Sequence, residues 1–279
     1  SSAASDVYKR QTMSMEEAKK YAKDMDILYT DTWVDMEFFN NPAYKQQKEE
    51  TLAKMMQEDE KICILDADLA KPNGTTPLYE KFPDRCFDVG IAEANMIGIA
   101  AGLSAYGYKP IAFTFAPFAT RRVCDQIAIS VAYAKQNVKI VGTDPGITAE
   151  LNGGTHMSFE DIAVVRSIPD MTIYDAVDDI QLSQAIEQIM KLDTPVYIRM
   201  PRKNAQPVFD KNYKFNLFKA DIIEEGTDVT IIATGIMVAE AKKAVEMLKK
   251  DGISAELISA NVIKPLDAVS YTHLTLPTT

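Results

Sequence analysis

From residue 61 onward, short runs rich in β-branched and aromatic residues alternate with stretches of helical periodicity. That alternation restricts the chain to βαβ units around a parallel sheet. The β-rich runs are KICILDA (61–67), CFDVG (86–90), KPIAFTF (109–115), VKIVGTD (138–144), MTIYDA (171–176) and PVYIRMP (195–201). The helical stretches between them are 91–106, 117–135, 159–167 and 178–191. Strands this continuously apolar require cover on both faces, so the expected fold class is α/β, a doubly wound and mostly parallel sheet. A polar, loop-like stretch at 204–220 reads as a linker. Beyond it, DVTIIATG (228–235), a helix over 236–252 closed by Gly252, and SAELISAN (254–261) make one further βαβ.

One βαβ is too little for a complete domain, so the second α/β domain is expected to be truncated. The division is therefore an N-terminal arm at 1–40, a first α/β domain at 41–203, the linker, a partial second domain at 221–269 and a tail at 270–279. The first eleven residues and the tail follow neither period and are expected to be non-native. Ahead of the sheet, Leu52, Met55 and Met56 are spaced for one face of an amphipathic helix.

A net charge of −10 argues against a general nucleic-acid binder, and no apolar run is long enough to span a membrane. Cys63, Cys86 and Cys124 are odd in number and set in apolar sequence, which predicts free thiols in a reducing cytoplasm.

Ligands of parallel sheets collect beyond the carboxyl ends of the strands. Glu93 stands there, heading a helix whose other residues are almost all small or apolar. With no polar face, that helix is expected to be buried all round, and its acid needs a partner. Gly98 and Gly102 clear one stripe for a close approach. Phe113, Phe115 and Phe118 read as core or as a ligand platform, and Arg121 and Arg122, opening the next helix, require an acid or anion. His156 closes a glycine-rich loop, with Ser158 placed as an N-cap and Asp161 as its capping-box partner. Arg199 and Arg202 read equally as claws for phosphate or carboxylate and as surface salt bridges. Phosphate-loop, dinucleotide, zincin and nucleophile-elbow motifs are all missing from the sequence. An acid, aromatics, one histidine and arginines remain, a set suited to binding a reactive centre supplied from elsewhere.

Three stretches, DVGIAEANMIGIAAGLSAYGYKPIAFTFAPFATRRVCDQI, GGTHMSFEDIAVVRSIPDMTIYDA and PVYIRMPRK, closely resemble the C-terminal half of transketolases. The similarity runs in unbroken order over about residues 45 to 268 and is strongest to the separate C-terminal subunit of split transketolases. What the resemblance implies is a thiamine diphosphate pyrimidine-binding fold and a transferase that moves two-carbon ketol units between sugar phosphates in the cytoplasm. Glu93 matches the acid that hydrogen-bonds N1′ of the aminopyrimidine and so favours the tautomer that deprotonates the thiazolium; the hard chemistry is the cofactor's. Phe115 and Phe118 match the pocket that packs on the pyrimidine, Arg121 stands where another aromatic is common, and Asp68 matches an acid on the thiazolium side. His156 matches a histidine that contacts donor hydroxyls and assists proton transfer, and Arg199 matches an arginine that binds substrate phosphate.

Two departures bear on the donor. Asn152 replaces an aspartate that reads a donor hydroxyl, and Asp144 replaces a phosphate-contacting histidine, so the donor need not be a usual pentose phosphate. The nearest counterpart of an upstream phosphate arginine is Lys45. Transketolases hold the diphosphate and Mg2+ through a GDG motif in the N-terminal domain, and no GDG occurs in this sequence. The resemblance therefore implies a partner subunit carrying GDG and holding Mg2+. It further implies a homodimer of this chain within a heterotetramer, and no activity for the chain alone. Two alternatives stand beside it: a fragment similar to 1-deoxyxylulose-5-phosphate synthase, whose strand end YIRMPRK also resembles, and a non-catalytic binding homologue.

Overall fold

The computed structural model describes residues 42–202 and 205–271. The expected arm at 1–40, the side chain of Lys45 and most of the tail at 270–279 lie outside the described residues. Helix α1 (Pro42–Glu58) precedes β1 (Ile62–Asp66), short helices α2 (Ala70–Asn73) and α3 (Thr76–Lys81), and β2 (Cys86–Asp88). Then follow α4 (Glu93–Ala105), β3 (Lys109–Phe115), α5 (Ala116–Ala119), β4 (Lys139–Thr143), α6 (Asp161–Arg166), β5 (Thr172–Asp175), α7 (Asp179–Ile189) and β6 (Val196–Met200). The second unit contains β7 (Asp221–Glu224), β8 (Val229–Ala233), α8 (Met237–Lys250), β9 (Ala255–Ser259) and β10 (Val262–Lys264).

The main sheet has the order β10-β5-β6-β4-β3-β1-β2, parallel throughout except for β10, which runs antiparallel to β5. Alternate residues of each strand serve the two faces. Ile62 and Ile64 join Leu52, Met56 and the α7 residues Leu182 and Ile186 on one side, whereas Cys63 and Leu65 join Met96, Ile97, Ile127 and Val131 on the other. The doubly wound expectation is thus met. A smaller sheet, β7-β9-β8, carries its own core of Val238, Val245 and Leu257. The path then returns: β10 adds itself to the edge of the main sheet, and the Asp175 N–H donates to the Asn261 carbonyl at 2.8 Å.

Three local expectations are corrected. The helix after Glu93 is not buried all round: Glu93, Met96, Ile97, Ala100 and Ala101 face inward, whereas Ala94, Asn95, Gly98, Ile99 and Gly102 are exposed. Nothing in the described residues lies within 4 Å of a Cβ built on Gly98 or Gly102, so no described residue makes the close approach that these glycines permit. The single helix expected at 117–135 is instead broken into α5, a 3-10 turn at Arg121–Val123 and a π-helix at Gln126–Tyr133. The Thr120 hydroxyl donates to the Ala116 carbonyl at 2.7 Å, and such back-bonding bends helices. Finally, Ser158 does not cap the helix of Asp161: Glu160 holds the N-cap position with no side-chain cap, and Asp161 turns inward to the sheet.

The stretch 205–220 forms neither helix nor strand but is packed. Phe215 and Leu217 are buried, and Asp178, the N-cap of α7, accepts from the N–H groups of Gln181, Val208 and Phe209 at 2.9 Å each. Cys63 and Cys86 are buried and Cys124 half-buried, all three as free thiols. No described helix is long and apolar enough to cross a membrane.

Candidate active site

The carboxyl ends of β1, β2, β3, β4 and β6, with the turns that follow them, hold most of the residues singled out in the sequence. Glu93, only 4% exposed at the start of α4, accepts a 2.6 Å hydrogen bond from Arg122 Nη1. The break after α5 aims Arg122 at this carboxylate. The same guanidinium lies over Phe118, 3.7 Å from the ring centroid. Phe118 meets Phe115 edge-on at 6.0 Å, and the His156 ring sits edge-on to both, at 5.1 Å from Phe115 and 5.0 Å from Phe118. On the far side, the Arg202 guanidinium lies 4.6 Å from the Phe115 centroid. The Arg202 N–H donates to Asp144 Oδ1 at 2.8 Å, its side chain pairs with Asp144 Oδ2, and Nη2 donates to Asn152 at 3.3 Å. Glu93, Arg122, Phe118, His156, Phe115, Arg202, Asp144 and Asn152 are therefore linked in one continuous run of contacts.

Electrostatics along this run are matched in pairs. Burial, followed by the charges of Arg122 and Arg202, pushes the His156 imidazole below its ordinary value. This favours the neutral imidazole, and Nδ1 is within 2.9 Å of the Thr155 hydroxyl. Asp144, buried with a left-handed φ of 52°, has Arg202 as its answering cation, so the acid found at this position does not face a ligand uncompensated.

Other expected residues stand outside the cluster. Arg121 pairs with Glu160 at 2.8 Å and reaches the Thr155 carbonyl at 3.4 Å, bracing the His156 loop. Asp68 is exposed in the turn after β1, with a φ of 59° and its N–H donating to Asp88. Arg199 turns into the protein, bonded to Asp161 at 2.8 Å and Asp175 at 3.3 Å. The guanidiniums at the aromatic surface belong instead to Arg122 and Arg202. The sequence carried a signal for an ion pair here, a buried acid and two cations at a helix start, but not for which of the two arginines reaches Glu93.

Comparison with known proteins identifies this architecture. Residues 40–207 match the transketolase pyrimidine binding domain and residues 218–275 the transketolase C-terminal domain. The chain belongs to the transketolase family. It is 53% identical to the 6-deoxy-6-sulfo-D-fructose transketolase subunit of a Clostridium species, over 77% of this chain and 67% of that protein. It is 33% identical to an apulose-4-phosphate transketolase subunit of Phocaeicola vulgatus, over 82% of this chain and 73% of that protein. A split-gene transketolase solved as an inactive beta4 tetramer superposes with a TM-score of 0.73 at 37% identity, covering 81% of this chain and 74% of that one.

Transketolases depend on thiamine diphosphate, and the residues present fit one end of it. A buried carboxylate beside an edge-on aromatic pair suits a flat aminopyrimidine that needs a hydrogen-bond acceptor. Among the described residues no group of three or more His, Cys, Asp or Glu could hold a metal ion.

Proposed function

We propose that this chain is the pyrimidine-side subunit of a two-component transketolase that moves a two-carbon unit from a ketose carrying a terminal anion to an aldose phosphate. The observation that carries this reading is the continuous run of contacts from Glu93 to Arg202, which orders an acid, an aromatic cradle, an imidazole and a guanidinium in succession. When bound, thiamine diphosphate supplies the carbanion equivalent that attacks the donor carbonyl. Glu93 binds N1′ of the pyrimidine and holds the proton there. Phe115 and Phe118 pack on the ring and exclude water. His156 takes up or returns a proton at the donor hydroxyls, and Arg202 holds the terminal anion.

The diphosphate and Mg2+ belong, on this reading, to a second chain carrying GDG. Two features support such an assembly. Relatives named as subunits cover similar lengths, and large apolar side chains are exposed just before α4 (Ile91), on α4 (Ile99) and on the π-helix (Ile129 and Tyr133). Exposed apolar side chains of this kind are suited to protein contact. The terminal anion of the donor is a phosphate or a sulfonate, the latter suggested by the relative that acts on a sulfofructose.

The test is reconstitution. This chain, a GDG-bearing partner, thiamine diphosphate and Mg2+ are mixed and assayed with fructose 6-phosphate, xylulose 5-phosphate and 6-deoxy-6-sulfofructose as donors. Ketol transfer that needs both chains, and that falls by orders of magnitude in Glu93→Gln without loss of fold, is the expected result. Turnover of pyruvate instead of any ketose would favour the deoxyxylulose-phosphate synthase reading. Cofactor uptake with no turnover of any donor would favour a binding homologue.

A further inference from the structure

Arg122 occupies the ground that the proposed function assigns to the pyrimidine. Its guanidinium is flat, carries N–H donors, bonds Glu93 Oε1 at 2.6 Å and lies 3.7 Å from the Phe118 ring centroid. Those are the contacts an aminopyrimidine needs: a donor toward the carboxylate and a π-face against the aromatic cradle. One carboxylate oxygen and one ring face cannot serve both groups at once.

We propose that Arg122 is a placeholder, filling the pyrimidine position in the unloaded chain and swinging out when the cofactor enters. This rests on the reading of Glu93 and Phe118 as the pyrimidine site. The local backbone suits such an exchange. Arg122 sits in a 3-10 turn between a four-residue helix and a π-helix, and its side chain is 44% exposed, which leaves an outlet to solvent. Arg121 beside it is anchored to Glu160 and the Thr155 carbonyl, so the turn stays in place while Arg122 moves. While it is in place, the guanidinium stops the buried Glu93 from standing without a partner, a condition that burial penalises. The device keeps the empty site ordered and makes cofactor entry a competition.

The consequence is that Arg122 weakens cofactor binding. In the assembly with a GDG-bearing partner and Mg2+, calorimetric titration should show thiamine diphosphate binding about fivefold to thirtyfold more tightly to Arg122→Gln than to wild type. That range corresponds to removing one partly exposed ion pair and one cation–π contact. Arg122→Lys, which keeps the cation but loses the flat stacking group, should fall between the two. Inorganic magnesium diphosphate, which probes only the other end of the cofactor, should bind all three proteins equally. Weaker or unchanged thiamine diphosphate binding in Arg122→Gln, with diphosphate binding intact, would overturn the placeholder and leave the pyrimidine site standing. A wild-type assembly that takes up diphosphate but no thiamine diphosphate would overturn the pyrimidine site and the placeholder with it.

Discussion

Tyr197 fills the space that a side chain on Gly142 would need: a Cβ there would stand 2.7 Å from Tyr197 Cε2 and 2.8 Å from Cζ. Gly142 is two residues from Ile140, the cross-strand partner of Tyr197, so both lie on one face of the sheet. The missing side chain lets the tyrosine cross from β6 toward α6, where its hydroxyl donates to Asp161 Oδ2 at 2.9 Å. Gly142→Ala should destabilise the fold by about 3 kcal/mol, combining overpacking with a lost buried hydrogen bond. Chemical denaturation measures this. Tyr197→Phe on top of it should recover little, because the clash is with the ring and not only with its hydroxyl.

Arg199 is the only cation bonded to the buried acids Asp161 and Asp175 among the described ion pairs. It links the start of α6, just beyond the His156 loop, to the end of β5. A Cβ on Gly235 of the second unit would stand 2.6 Å from the Asp175 carboxylate, so the network also lies against that unit. Arg199→Met should destabilise the protein by about 3–5 kcal/mol, because two interior carboxylates lose their cation. Burial raises the Asp175 carboxyl above its ordinary value despite Arg199. A folded-state value that is raised favours the fold at acid pH, and the benefit fades as pH rises through it. The Arg199→Met deficit should therefore shrink as pH is lowered; a deficit that grew on acidification would contradict this account.

What could be read in the sequence follows from how local each feature is. The strands were legible because both faces of the sheet are covered, which leaves continuous apolar runs such as Ile62–Asp66. Helix α4 was legible as a helix but not as a half-exposed one, because an apolar outer face has the same composition as a buried one. Breakage at Thr120 and the return of β10 to the main sheet depend on a side-chain hydrogen bond and on a long-range pairing, and neither has a periodic signature. Glu93, Phe115, Phe118 and His156 were found as types at strand ends, and the structure brings them together. Which arginine reaches them could not be read, since Arg121 and Arg122, like Arg199 and Arg202, differ only in the direction the backbone gives each one.

Lys139 adds a pH dependence of a different sign. It is fully buried at the start of β4, and its ammonium donates to the Leu192 and Thr194 carbonyls at 2.8 Å each and to the Asn137 side chain. Burial pulls it down to about 7, against an opposing attraction from Asp193 and with further lowering by Lys109. A base with a depressed folded-state value favours the fold at high pH, and this contribution is lost as pH falls toward 7. Between pH 7 and the unfolded value of 10.5, the unfolded chain holds the extra proton, so stability rises with pH by at most about 1.4 kcal/mol per unit. Cys63 and Cys86, pushed up to about 12 by burial from 9.0, oppose this trend once the unfolded thiols ionise. The clean window is therefore roughly pH 7 to 8.5. Across it, wild type should gain stability relative to Lys139→Met, whatever the constant offset between them. Parallel stability curves would rule out the shift.

Arg202 offers the sharpest test of how the proposed donor is held. It is the guanidinium over Phe115 at 4.6 Å, and its Nε pairs with Asp144 and its Nη2 donates to Asn152. A terminal phosphate or sulfonate entering here gains a charge-assisted hydrogen bond, worth about 1.5–3 kcal/mol. In the assembled enzyme, Arg202→Met should raise KM for such a donor about tenfold to a hundredfold, while kcat changes little, because on the proposed reading Arg202 holds the end of the donor remote from the bond that breaks. Removing the cation also leaves Asp144 buried without it, so a loss of stability is expected from the single variant. Combining it with Asp144→Asn should restore the fold without restoring KM, which separates recognition from folding. A ketose donor that lacks a terminal anion provides the remaining control. Its KM should not respond to the Arg202 change, and equal losses for both donors would mean that Arg202 shapes the whole site and does not hold the anion.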